Sequence, residues 1–158
     1  MGASEWLSDV EQRAWRGWID AGRRIVAVCD RRLRADAGLT IDDYEVLVHL
    51  SEADDRRLRM SDLAAAVTHS PSRLSQRIDR LGRDRLVARE RCENDARVWW
   101  VVLTAEGFAR LAEAAVDHVA AVRRVFVDRL SPAEIEMLAS VLPRLAEDLS
   151  ADPQAAGG

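Results

Sequence analysis

Apolar residues recur along this chain mainly at the three- and four-residue spacing of amphipathic helices. Six helices are predicted in this way, at about residues 4–36, 41–51, 62–67, 71–83, 105–126 and 132–149. Helix-start residues support several of these boundaries, since Thr40, Ser61 and Thr104 are placed as N-caps and Ser131 begins a capping box that ends at Glu134. The chain is therefore predicted to be mainly α-helical.

Two β-prone runs interrupt the helical pattern. Residues Val87–Cys92 and Arg97–Leu103 flank a polar turn and predict a small β-hairpin, and Arg57–Arg59 forms a shorter extended piece. The predicted order is helix, helix, short strand, helix, tight turn, helix, hairpin, helix, helix. A short helix, a tight turn, a second helix and a two-stranded ribbon make a winged helix-turn-helix with the hairpin as its wing.

The elements group into a lobe and a helical layer. Residues 40–104 form the predicted winged helix-turn-helix DNA-binding lobe, residues 1–36 and 105–150 form a helical dimerisation region, and residues 151–158 form a flexible tail. The apolar stripe of the first helix is wider than a small core requires, and the lobe is too small to cover three long helices. We therefore expect an obligate homodimer.

Composition excludes several classes of protein. The chain has 158 residues, of which 48% are hydrophobic and 32% charged, a globular balance. It contains no apolar run long enough to span a membrane and no secretory signal, so we expect a cytoplasmic protein without membrane contact. Cys29 and Cys92 are too few for a disulfide framework and too far apart for a metal site.

Charge is distributed unevenly along the chain, whose net charge is −4. Residues 71–97 contain eight arginines against five acidic residues, whereas the segments 36–70 and 98–158 are both strongly acidic. Phosphate binding depends on the local potential at the docking surface, so this positive segment is compatible with a nucleic-acid partner.

The second helix of a helix-turn-helix enters the major groove, and its outward residues contact bases and phosphates. The residues predicted to face outward here are Ser72, Arg73, Ser75, Gln76, Arg77 and Arg80. Arginine can chelate guanine and glutamine can chelate adenine, so we expect Gln76 and Arg77 to read bases while Arg73 and Arg80 grip phosphates. The alternative is a solvated polar face, and the adjacent hairpin favours DNA binding.

The hairpin carries Asp95 in its turn and Arg97 at the start of its second β-prone run. An arginine near the tip of a ribbon can enter the narrow, negative minor groove, and a carboxylate two residues earlier can hold its guanidinium by a charged hydrogen bond. We therefore expect both residues at the DNA interface.

At this point the chain resembles the MarR family of transcriptional regulators, from about Glu11 to Leu149. The motifs that carry the resemblance are Leu39-x4-Tyr44-x2-Leu47, Met60-Ser61-Asp62-Leu63-Ala64, Ser72-Arg73-Leu74-Ser75-x2-Ile78-Asp79-Arg80-Leu81, Asp95-x-Arg97 and Leu103-Thr104-x2-Gly107. The resemblance implies a triangular dimer with its first, fifth and sixth helices intertwined, and wings that flank the DNA with Arg97 as the wing arginine. It also implies a repressor of pseudo-palindromic operators.

Two positions depart from the family pattern. Arg85 stands where many members have a glycine that ends the recognition helix, so it needs a left-handed backbone or the helix ends differently. Pro143 lies inside the last helix, where it should kink the helix near Ala139 and alter the subunit angle.

Many members of the family bind small phenolic or anionic effectors in a cleft between the two regions. The residues that this resemblance suggests for such an effector are Trp15, Arg16, Trp18, Tyr44 and His49. Aromatic rings would stack on the effector and the arginine would bind a carboxylate; the alternative is that the tryptophans belong to the dimer core.

Other functions have less support. Some relatives sense peroxide through a cysteine early in the first helix; here Cys29 lies later, and Cys92 is the better candidate for a reactive thiol. A winged-helix dimer used only for protein contacts would not need the basic helix. His49, His69 and His118 lack metal-ligand spacing, and the chain has neither a phosphate loop nor a nucleophile elbow, so we expect no enzyme, cofactor or metal.

Overall fold

The structure, a computed structural model, describes residues 6–67, 70–92 and 98–151. These residues form the helices α1 (Asp9–Ala37), α2 (Ile41–Glu52), α3 (Met60–Ala66), α4 (Pro71–Arg83), α5 (Ala105–Val125) and α6 (Pro132–Ala151), and the strands β1 (Arg57–Arg59), β2 (Val87–Arg91) and β3 (Trp99–Leu103). Short 3₁₀ segments lie at Asp54–Arg56 and Val127–Arg129. The predicted fold class, mainly helical with a small sheet, is confirmed.

Two predicted helix starts are wrong. Helix α1 begins at Asp9 because Ser8 and Glu11 form a capping box, in which the Ser8 amide donates to the Glu11 carboxylate at 2.7 Å. Helix α3 already begins at Met60, so Ser61 lies inside it and is not its N-cap. The predicted stop of α1 is correct, since Gly38 adopts the left-handed conformation with φ 68°.

The sheet has three strands in the order β1-β3-β2, all antiparallel. The predicted hairpin supplies β2 and β3, and the short extended piece Arg57–Arg59 adds the third strand by pairing Leu58 with Val101. This third strand ties the start of α3 to the wing, because β1 ends where α3 begins.

One hydrophobic core underlies the lobe. Its buried members are Leu33, Leu39, Val46, Leu47, Leu50, Leu63, Val67, Leu74, Ile78, Leu81, Leu86, Val87, Val101, Leu103, Leu111 and Ala114. Every helix from the end of α1 to the middle of α5 contributes to this core. In α2 the buried face includes Val46, and the partly buried Tyr44 and Val48 pack against the same core.

The chain divides into two compact units, Met1–Ala121 and Val122–Gly158. In the second unit, the predicted capping box before α6 is confirmed, with the Ser131 amide donating to the Glu134 carboxylate at 2.7 Å. Helix α6 continues through Pro143 to Ala151. The rest of the predicted flexible tail lies outside the described residues.

Candidate nucleic-acid interface

Helix α4 has one buried face and one polar face. Leu74, Ile78 and Leu81 are at most 1% exposed and anchor the helix on the core. Ser72, Arg73 and Gln76 are exposed, as predicted. The start of α4 carries Pro71 after an extended Ser70, so the helix begins where the sequence predicted. An exposed arginine and glutamine on such a helix suit hydrogen bonding to base edges and phosphates.

Arg77 does not face outward, and that prediction is wrong. Its side chain is only 15% exposed, because the guanidinium turns towards the start of α2. There Nη1 donates to Asp43 at 2.8 Å and to the Thr40 hydroxyl at 3.0 Å, and Nη2 donates to Asp42 at 2.6 Å. These three bonds use the fork that base reading would require.

Arg80 is shared between the interior and the surface. Its side chain is 40% exposed, and its guanidinium also donates to the Asp43 carboxylate. The expectation of an outward arginine free to grip a phosphate is therefore only partly correct, because one end of the guanidinium is occupied.

Asp43 receives both arginines and is completely buried. Its carboxylate also accepts the Thr40 amide at 2.8 Å, and the Asp43 amide donates to the Thr40 hydroxyl at 3.0 Å, which completes a capping box. Sequence reasoning did not assign Asp43 a role as an ion-pair partner. The only indication in the sequence was the adjacent acidic pair Asp42 and Asp43, together with the arginine-rich segment that forms α4.

The start of α2 is fixed in turn by α1. Asp30 accepts the Ile41 amide at 2.9 Å and is paired with Arg34 at 2.6 Å. The hydrogen bond from Arg34 and, to a smaller extent, that from the Ile41 amide lower the pKa of Asp30, so the carboxylate stays ionised at neutral pH. The polar contacts therefore run from α1 through the start of α2 to α4.

Arg89 of β2 holds α4 from the opposite side. Its guanidinium donates to the Ser75 carbonyl at 3.2 Å and to the Ser75 hydroxyl at 3.1 Å, and pairs with Asp79 at 3.1 Å. Ser75 is consequently half-buried, although it was predicted to face outward. Sequence reasoning did not assign a role to Arg89, because alternation along a strand does not reveal which helix packs against it.

The predicted wing residues Asp95 and Arg97 lie outside the described residues. The described part of the hairpin ends at a hydrogen bond of 3.0 Å from the Cys92 amide to the Val98 carbonyl. Next to it, Arg91 lies over the ring of Trp99, with 5.0 Å from the guanidinium carbon to the ring centre. The base of the wing therefore carries a cation stacked on an aromatic ring.

A cavity of about 440 Å³ opens at the base of the wing. Its lining includes Arg59 and Arg89 together with the side chains of Ser61, Ser75 and Trp99. On the sheet, Arg57 and Arg59 both lie over the Trp100 ring, with 5.0 and 5.4 Å from guanidinium carbon to ring centre. Sequence reasoning assigned no role to these arginines of the sheet.

The junction after α4 is tight. Arg85 adopts the left-handed conformation with φ 59°, the first of the two possibilities expected. The Thr104 hydroxyl donates to the Arg85 carbonyl at 2.7 Å and accepts the Gly107 amide at 2.9 Å, so it joins the end of α4 to the start of α5. A Cβ atom at Gly107 would lie only 2.0 Å from the Leu86 carbonyl oxygen, and only glycine fits there without a shift.

The residues predicted for an effector are spread over two elements. Trp15, Arg16 and Trp18 are exposed on the first half of α1, whereas His49 is half-buried on α2. Tyr44 packs against His118, with 4.5 Å between ring centres. The three α1 residues and the two α2 residues, Tyr44 and His49, are therefore not gathered in one described cavity.

A cavity of about 350 Å³ lies instead between the end of α1 and α5. The side chains that line it are Arg32, Leu33, Asp36, Ala37, Arg110, Glu113, Ala114, Asp117 and His118. None of the five predicted effector residues is among them. Burial lowers the pKa of His118, so its ring is neutral at neutral pH.

The two cysteines differ in environment. Cys29 is 2% exposed, and this burial raises the pKa of its thiol, which disfavours the reactive thiolate. Cys92 is half-buried at the end of the hairpin. Over the described ranges, no three His, Cys, Asp or Glu side chains are grouped to hold a metal, and no helix has the length and apolar character of a membrane span.

A short helix, a turn, a second helix with an exposed polar face and an antiparallel sheet define a winged helix-turn-helix protein. Within that class, the model for the MarR family matches residues 37–98. The chain is also 31% identical over 116 residues to the HTH-type transcriptional repressor YetL of Bacillus subtilis, an alignment that covers 73% of this chain and 69% of YetL. The chain belongs to the MarR family of transcriptional regulators, which are not enzymes.

Two solved structures support this assignment. AbsC, a MarR family regulator from Streptomyces coelicolor, is 43% identical with a TM-score of 0.88, and the match covers 94% of this chain and 100% of that chain. Sco3205, from the same organism and solved in complex with DNA, is 37% identical with a TM-score of 0.90, and the match covers 98% and 96% of the two chains.

Proposed function

We propose that this regulator binds duplex DNA in the cytoplasm as a homodimer and represses transcription from a pseudo-palindromic operator. The observation that carries the proposal is the exposed face of α4, where Ser72, Arg73 and Gln76 project opposite a fully buried leucine face. The DNA complex of Sco3205, 37% identical to this chain, supports the same use of the fold here.

In this arrangement Gln76 reads a base, while Ser72 and Arg73 bind phosphates at the edge of the groove. Arg77 has no direct contact with DNA, because its guanidinium is hydrogen-bonded to α2. Arg97 enters the minor groove at the tip of the wing and Asp95 orients it, as the resemblance to the family implies.

The homodimer is supported by apolar side chains that the single chain leaves exposed. On α1 these are Trp15 at 58%, Trp18 at 51% and Val26 at 49%, and on α5 Val119 at 55%. Exposed apolar surface of this extent is typical of an interface. The exposed tryptophans fit a dimer core better than a preformed effector site, although a small aromatic or anionic effector remains part of the proposal.

Selection of bound duplexes from a random-sequence library tests the proposal. We expect a preferred site with two half-sites about one helical turn apart, bound by a dimer in sedimentation. Gln76→Ala should relax the preference at one position per half-site, whereas Arg73→Ala should weaken all duplexes alike and flatten the salt dependence. Enrichment of no sequence, or a folded monomer at micromolar concentration, would contradict the proposal.

A further inference from the structure

We propose that Asp43 is a positioning residue for DNA recognition: it sets the rotation of α4 by binding two of its arginines at once. This inference rests on the proposed DNA-binding function. Asp43 lies on α2, is completely buried and has no surface that DNA can reach. Its effect on binding is therefore transmitted through Arg77 and Arg80.

Asp43 binds its own helix with one carboxylate oxygen and α4 with the other. One carboxylate oxygen of Asp43, Oδ2, is held by the Thr40 amide at 2.8 Å, which fixes the side chain to the start of α2. The other oxygen, Oδ1, accepts both Arg77, at 2.8 Å, and Arg80. Since residues three apart lie on neighbouring turns of a helix, these two bonds hold α4 at two levels along its axis.

A rotation of α4 about its axis would change the surface that this helix offers to DNA. The same helix presents Ser72 and Gln76 to solvent, so a turn about its axis changes which atoms reach a groove. Such a turn cannot occur while Arg77 remains bonded to Asp43 and to Asp42, the latter at 2.6 Å. On the other edge of α4, Arg89 holds the Ser75 carbonyl at 3.2 Å, which opposes rotation in the other direction.

Helix α2 is itself anchored, both to α1 and to the core. Asp30 of α1 accepts the Ile41 amide at 2.9 Å, at the first residue of α2. Leu47 and Leu50 of the same helix are completely buried in the core. A shift of α4 can therefore not be taken up by a matching shift of the start of α2.

A change of charge at Asp43 should affect specific and non-specific DNA binding in opposite directions, unlike a loss of structure. In the native protein, Asp43 occupies donors of two guanidinium groups on a helix that faces DNA. Replacing Asp43 by asparagine removes the negative charge that both arginines share; Arg77 keeps its bond to Asp42, whereas Arg80 is freed, and a freed cation binds phosphates of any sequence. Specific binding should then fall while non-specific binding rises, whereas partial unfolding lowers both.

Asp43→Asn is the test, and the amide oxygen of asparagine can still accept the Thr40 amide. On the duplex selected with the wild type, we expect affinity to fall by about tenfold or more. On an unrelated duplex we expect tighter binding, with the slope of log K against log salt steeper by about 0.9 for each cation that gains a phosphate. Circular dichroism and sedimentation should match the wild type.

Asp84→Asn is the matched control, because it removes the same charge from an exposed carboxylate at the C-terminal end of α4. It should shift binding to both duplexes together and leave their ratio unchanged. If Asp43→Asn also leaves that ratio unchanged while the wild type prefers its selected site, the inference is overturned and the proposed function stands. A wild type without any preferred duplex overturns the proposed function and this inference with it.

Arg80→Gln provides a second variant in case Asp43→Asn does not fold. Arg80 is 40% exposed, so its loss is less disruptive than a change at the buried carboxylate. A positioning role predicts weaker binding to the selected duplex with an unchanged salt slope on the unrelated one. A slope flattened by about 0.9 per protomer would mean that Arg80 grips a phosphate directly, and would overturn the positioning role.

Discussion

The helix-turn-helix lobe and α6 use apolar residues in different ways. In the lobe, Leu47, Leu63 and Leu74 are completely buried, and even the carboxylate of Asp43 has its partners within the chain. In α6, no residue from Pro132 to Ala151 is buried. Its apolar side chains include Met137 at 53% exposure and Leu149 at 53%.

This difference separates a part of the sequence whose apolar residues are covered by the same chain from a part whose apolar residues stay exposed. Both regions have the apolar spacing of amphipathic helices. In the lobe the apolar faces are covered by a core of the same chain, whereas α6 leaves its apolar side chains exposed. The proposed homodimer would cover these side chains of α6 with a second copy.

The largest expected difference between the two regions comes from truncating one leucine in each. Leu63→Ala should reduce the free energy of unfolding by about 2–5 kcal/mol, because a buried leucine loses its contacts and leaves a cavity. Leu145→Ala should reduce the free energy of unfolding of the protomer far less, because Leu145 is 44% exposed. It should instead weaken the dimer. Urea unfolding and sedimentation equilibrium measure the two effects. A Leu145→Ala dimer as tight as the wild type would remove α6 from the proposed interface.

Most of the fold followed from periodicity and helix-end chemistry. The spacing that predicted α4 places Leu74, Ile78 and Leu81 on one face, because apolar residues three and four apart share a face, and these three residues are buried. The caps at Thr40 and Thr104 were predicted because a side-chain oxygen before an apolar run satisfies free amides. These signals are local, so a single sequence contains them.

The errors in the site came from contacts that are distant in sequence. Arg77 lies about 40° around α4 from Leu81, at the flank of the buried face, so the direction of its side chain depends on which partner lies there. That partner is Asp43, 34 residues earlier in the chain. Periodicity could not distinguish an arginine that binds a buried carboxylate from one that faces solvent.

Gly107 supplies a sharper test of how closely the lobe is joined to α5. Gly107→Ala should destabilise the protein by about 1–3 kcal/mol, because the added Cβ would meet the Leu86 carbonyl oxygen at 2.0 Å. Gly17→Ala in α1 is the matched control: nothing lies within 4 Å of its added Cβ, and alanine favours a helix by about 0.5–1 kcal/mol. Thermal unfolding of both variants should shift in opposite directions, and equal shifts would contradict this account.

The helix caps allow a smaller comparison of the two regions. Thr104→Val should cost about 1–2 kcal/mol, since it removes both the cap of α5 and the bond of 2.7 Å to the Arg85 carbonyl. Ser131→Ala removes only the local capping box of α6 and should cost about 0.5–1 kcal/mol. Chemical denaturation should rank the two variants in this order. If Ser131→Ala lowered the free energy of unfolding more than Thr104→Val, the Thr104 junction between α4 and α5 would stabilise the lobe less than its hydrogen bonds indicate.

The smallest expected effect is a pH dependence at His118, where α5 meets the lobe residue Tyr44. Burial lowers the pKa of His118, so the unfolded chain takes up a proton at this position more readily than the folded one. The neutral ring of His118 therefore makes its full contribution to the free energy of unfolding well above the unfolded-state pKa of about 6.5. This contribution declines as the pH falls through that value. The charged side chains that line the same cavity are Arg32, Asp36, Arg110, Glu113 and Asp117. His118→Phe keeps an aromatic ring against Tyr44 and removes the titration. The wild type should lose more stability than this variant between pH 7.5 and 5.5, measured by urea unfolding at each pH; equal losses would show that His118 protonates as easily in the folded protein as in the unfolded chain.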